Sequence, residues 1–145
     1  MHSKNKNMSD HIIVTNANEL IRIPVESLAY IASDGNYSDI HTIDGKKYTV
    51  TLQLGVIEDM INQQLKKDDD NARIVKKMIN QQPLETDIFA RIGKSLIVNM
   101  KLIHYINPSK KQLILSDCHT FNFCLEASKE ALKNLKEHFE KKLKK

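Results

Sequence analysis

The stretch FARIGKSLIVNM, Phe89 to Met100, poses a choice between two folds. Its Gly93-Lys94-Ser95 is the tail of a nucleotide-binding phosphate loop. That loop needs the pattern G-x-x-x-x-G-K-[ST], because glycines let successive backbone N–H groups wrap phosphate oxygens. The residue five before Gly93 is Ile88. Leu96-Ile97-Val98 follows Ser95, and β-branched residues there favour a strand over the helix such a loop opens. The stretch therefore reads as strand, tight turn, strand, with Lys94 at the turn.

Working towards the N-terminus, short apolar runs stand between polar breaks. Ile12-Ile13-Val14, Leu20-Ile21-Arg22-Ile23 and Leu28-Ala29-Tyr30-Ile31 read as strands. Pro24 cannot donate to a ladder, so it ends its strand or sits at an edge. Ser33-Asp34-Gly35-Asn36 is a turn signal, Tyr37 to Thr42 a strand, and Asp44-Gly45 a hairpin signal. Tyr48, Val50 and Leu52 alternate with polar residues, the period of a half-buried strand. Then the period changes. Val56, Ile57, Met60 and Ile61 share one helical face, as do Ile74, Val75, Met78 and Ile79. The pentapeptide MINQQ occurs at 60–64 and again at 78–82, and Pro83 stops the second helix.

Working towards the C-terminus, strands are expected at Ile88–Ile92, Leu96–Val98 and Leu102–Ile106, with a turn at Asn107–Lys110. Leu113–Leu115 and Phe121, Phe123 and Leu125 form a closing hairpin around Asp117–Thr120. Leu132, Leu135, Phe139 and Leu143 form a helical stripe capped by Ser128.

At 145 residues, with 41% hydrophobic and 28% charged, the chain can bury one real core. No apolar run approaches the ~20 residues of a membrane helix, and MHSKNKNMSDH is no secretory signal. The formal charge is +4, from 22 Lys+Arg against 18 Asp+Glu, a mild lean towards polyanions. Much of the excess lies between Lys133 and Lys145, where a solvated helix face explains it. Without a signal segment, Cys118 and Cys124 read as reduced thiols in a cytoplasm. Cys118, His119 and Cys124 fall short of the four ligands of a structural zinc site, so no metal is expected. No catalytic set or cofactor loop stands out, so neither enzyme activity nor a cofactor is expected.

Three stretches carry a family resemblance: LAYIASDGNYSDIHTIDGKKYTV (28–50), FARIGKSLIVNMKLIHYI (89–106) and LILSDCHTFNFCLEASKEALKNL (113–135). In order and spacing they resemble the LytTR DNA-binding domain, the output module of many bacterial response regulators. The similarity runs over about residues 11–135 apart from a central insertion. It rests on the succession of an I-x-[SA]-x-G-N-Y turn, F-x-R-x-x-[KR]-S-x-x-V-N, and a late strand ending in S-[KR].

The resemblance implies a mostly β (α+β) fold of small packed antiparallel sheets; the inserted helical segment departs from the family, and the apolar stripe gives a C-terminal helix. Residues 1–10 are expected to be a flexible lead and 11–145 a single domain with a helical insertion at about 66–84. It further implies duplex DNA read in the major groove by loops; a homodimer on paired half-sites is expected because one small module makes limited contact. The contacts carried over are Asn36, Tyr37 and Ser38 in one turn, Arg91, Lys94 and Ser95 in the next, and Lys129 at the last helix. Lys94 and Lys129 stand where many members have arginine, which removes the bidentate fork. No receiver domain precedes the module, so a stand-alone regulator is expected.

Two residues have competing readings. Arg91 equally suits a structural salt bridge, and Tyr37 a core position. The competing function is a protein-interaction module that kept the fold and lost DNA reading, with the MINQQ helices as its partner surface.

Overall fold

The computed structural model describes residues 11–68 and 88–143. The expected N-terminal lead, the second MINQQ helix and most of the expected insertion lie outside them. Ten strands and two α-helices appear among the described residues. The strands are β1 (His11–Thr15), β2 (Leu20–Pro24), β3 (Leu28–Asp34), β4 (Tyr37–Thr42) and β5 (Lys47–Val50), then β6 (Phe89–Ile92), β7 (Leu96–Asn99), β8 (Ile103–Asn107), β9 (Gln112–Ser116) and β10 (Asn122–Glu126). Helix α1 spans Leu54–Asp68 and α2 spans Lys129–Leu143.

All the strand pairings are antiparallel. A five-stranded sheet in the order β5-β4-β3-β7-β6 is central. One of its faces meets the β1-β2 hairpin and α1, burying Ile12, Val14, Ile31, Ile40, Ile57 and Ile97 together. The other meets the β8-β9-β10 sheet and α2, burying Ala29, Val98, Leu113, Leu115 and Leu132. With both faces covered, strand β7 loses the half-buried alternation of an open sheet, and all four of its residues are buried. The mostly β, antiparallel fold expected from the sequence is therefore present.

Asn99 closes β7 and is the polar member of this buried strand, 2% exposed. Its side-chain amide donates to the Leu28 carbonyl at 2.9 Å, while its Oδ1 accepts from the Lys101 N–H at 3.0 Å. A buried amide survives in a core only when bonded this way. Asn99 thus locks the end of β7 to the start of β3.

Local expectations are met at Pro24 and corrected elsewhere. Pro24 ends β2, paired with His11. The strand expected to run through Leu52 stops at Val50, because α1 begins at Leu54. The phase of α1 is also shifted: Leu54, Ile57 and Ile61 are buried, whereas Val56 is 42% exposed. Periodicity alone leaves the helix free to rotate by a residue, and the contact with β1 chooses the face. On β4, His41 stacks on Tyr30 at 4.2 Å between ring centroids, and burial pushes the imidazole pKa below its ordinary value.

Candidate nucleic-acid interface

Two hairpin tips lie side by side at one end of the central sheet. Strand β3 pairs Ser33 with Ser38 and Asp34 with Tyr37, leaving Gly35-Asn36 as a two-residue turn. Gly35 has φ +69, the conformation a type II′ turn requires at its first central position. Strand β6 pairs Ile92 with Leu96, leaving Gly93-Lys94-Ser95 as the second tip, with Gly93 at φ +66. The tips are neighbours because β3 also pairs with β7. Ala32 faces Leu96, and the Ser33 N–H donates to the Ser95 carbonyl at 2.9 Å. The Gly-Lys-Ser tripeptide therefore opens a strand, as the sequence suggests, and no phosphate-loop helix follows it.

The start of α2 borders the second tip. An open groove of about 580 Å³ runs between β6 and α2, with Gly93 on one wall and Ser128 on the other. Lys94 and Lys129 each directly follow one of these residues in the chain, although neither side chain lines the groove. Ser128 caps the helix, its Oγ accepting from the Ala131 N–H at 3.1 Å. Lys129 then falls in the first turn, where the helix dipole disfavours a cation and nothing in the fold calls for one.

The expected contact residues divide by environment. Asn36, Lys94, Ser95 and Lys129 are exposed, and Tyr37 is 49% exposed. Lys94 and Lys129 have no ion pair among the described residues. Of the two readings of Tyr37, the surface one fits and the core one does not. Ser38 is a correction: it is 0% exposed, and its hydroxyl donates to the Leu52 carbonyl at 2.8 Å. Inward-pointing alternation along β4 sends it into the core, so its side chain fastens the segment after β5 and cannot reach a ligand.

Arg91 is likewise occupied. Its guanidinium forms an ion pair with Glu58 on α1 and donates to the Lys94 carbonyl at 3.2 Å. The structural salt bridge weighed from the sequence is the arrangement present, although its partner lies on a helix and not within the sheet. Arg91 holds the backbone of the tip from which Lys94 projects. No local signal in the sequence joins Arg91 to Glu58, which lies 33 residues earlier.

A family model described as the LytTr DNA-binding domain matches residues 72–140. The resemblance read from the sequence is borne out over that region, which includes Lys94, Ser95 and Lys129 and begins inside the segment expected to be an insertion. The match supports DNA binding in general for that region. No curated protein matches the chain. Among solved structures, a LytTr DNA-binding domain of a methyl-accepting/DNA response regulator from Bacillus cereus is 15% identical, with a TM-score of 0.48. That match covers 89% of this chain and 95% of the other, a likeness too loose to align side chains. No helix among the described residues is long and apolar enough to cross a membrane.

Proposed function

We propose that this chain is a bacterial transcription regulator that binds duplex DNA sequence-specifically, reading the major groove with the two hairpin tips and the start of α2. Lys94 and Lys129 neutralise phosphates or bond guanine O6 and N7 as point charges. Asn36 bonds an adenine or a phosphate, Tyr37 packs on sugar or a thymine methyl, and the Ser95 hydroxyl bonds the backbone. Arg91 acts as a positioning residue. A homodimer on paired half-sites in the cytoplasm fits a module this small, because one copy makes limited contact.

The observation that carries this reading is the family match over residues 72–140, which contains an exposed lysine tip held by a fixed backbone. Titrating duplex DNA against salt tests it. If about six phosphates are neutralised, log affinity against log salt should fall with a slope near −5. A flat salt response would sink the proposal. Selecting bound sequences from a random duplex library tests the finer part. Repeated half-sites at fixed spacing support a sequence-reading dimer, and an unenriched pool rejects it.

A further inference from the structure

We infer that the β8–β9 turn is a fourth DNA-contacting segment, with Lys110 and Lys111 neutralising backbone phosphates beside the start of α2; this rests on the DNA-binding reading above. The turn runs from Asn107 to Lys111 and is anchored from within. The Asn107 amide donates to the Tyr105 hydroxyl at 3.0 Å and accepts from the Lys110 N–H at 3.1 Å. The Lys111 N–H donates to the Pro108 carbonyl at 3.0 Å. The N–H groups of both lysines are thereby satisfied, and both lysine side chains are left over and exposed.

The turn is tied to the proposed interface through its own backbone. The Lys111 carbonyl accepts from the Ala127 N–H at 3.3 Å, and Ala127 immediately precedes Ser128 and Lys129. Lys110, Lys111 and Lys129 thus cluster on two touching segments, with Lys94 across the groove that Ser128 shares with Gly93. Two carboxylates border the cluster, Glu126 and Glu130, but among the described residues neither forms an ion pair with a lysine. Elsewhere Lys46, Arg91 and Lys136 are already paired with Asp44, Glu58 and Glu140. Lys94, Lys110, Lys111 and Lys129 are all exposed and without an ion pair among the described residues, so the fold itself does not use their charges. Phosphates are the fitting ligand class, because a lysine on a turn is a mobile point charge without the fork that reads base edges.

The test removes these charges without disturbing the turn. Lys111 has φ +57, so asparagine, which tolerates that region, is the suitable replacement. The double variant Lys110→Gln with Lys111→Asn should melt like wild type. Its salt slope on duplex DNA should be shallower by about 1.8, at roughly 0.9 per lost phosphate contact. That equals about a tenfold smaller loss of affinity between 50 and 200 mM salt. The weakening should be equal on matched and mismatched duplexes. Lys110→Arg with Lys111→Arg should keep the wild-type slope. Lys136→Gln with Lys141→Gln, further along α2, should also keep it. Should the double variant misfold, Lys110→Gln alone should lower the slope by about 0.9.

Wild-type binding with an unchanged slope in the charge-removed variants would overturn this inference and leave the DNA reading intact. An equal fall in the α2 control would also overturn it, by assigning the effect to net charge. Absence of salt-dependent binding by wild type would remove both.

Discussion

Two turns in this molecule use their polar side chains in opposite ways. At Asp117–Phe121, Asp117 accepts from the N–H groups of His119, Thr120 and Phe121 at 2.8, 2.7 and 3.2 Å, and from the Thr120 hydroxyl. The side chain is consumed by its own turn. At Gly93–Ser95 the backbone is held from outside, by Arg91 on the Lys94 carbonyl and by Ser33 on the Ser95 carbonyl. The Lys94 side chain is left over. The difference separates residues the fold employs from residues it presents. Both turns are polar and exposed, so composition alone does not distinguish them.

The comparison can be broken by mutation, beginning with the largest expected effect. Asn99→Ala removes a buried amide and leaves the Leu28 carbonyl and Lys101 N–H without their partner, so unfolding should cost about 3 kcal/mol less. Denaturant titration would read that loss, and an unchanged midpoint would deny Asn99 its structural role. Lys94→Ala should do the reverse. Melting should hold, while binding to a selected duplex should weaken by about 2 kcal/mol. Unaltered affinity with an intact fold would take Lys94 out of the interface.

Smaller effects sharpen the same contrast. Ser38→Ala should lose about 1 kcal/mol of stability, because the Leu52 carbonyl loses its donor. Ser95→Ala, at an exposed tip, should leave stability within experimental error; equal losses in the two variants would contradict the burial difference.

The smallest effect is in acid. The Thr120 hydroxyl, with the N–H groups of His119, Thr120 and Phe121, holds the Asp117 carboxyl well below its ordinary pKa. A depressed carboxylate pKa contributes stability that is complete above the unfolded value near ~4 and is lost as pH falls below it. The melting difference between wild type and Asp117→Asn should therefore be greatest near neutrality and shrink below about pH 4. A difference that grows in acid would reverse the assigned sign.

Local signals made much of this protein legible. Apolar runs of three to five residues marked most strands, and the turn signals at Gly35-Asn36 and Asp44-Gly45 lie at hairpins. Strand preference after Ser95 ruled out the phosphate loop, and Ser128 was recognisable as a cap. These features depend on neighbours within a few positions, where φ preference and side-chain spacing act directly.

Tertiary structure alone decided which polar residues remain available. Ser38 is spent on Leu52, 14 residues away, and Arg91 on Glu58, 33 residues away. Pairing of β3 with β7 brought the two tips together, and contact with β1 chose the buried face of α1. Sequence determined the kinds of element and the residues able to meet a polyanion. Chain packing determined which of them face outward, because burial and ion pairing join positions that no local pattern connects.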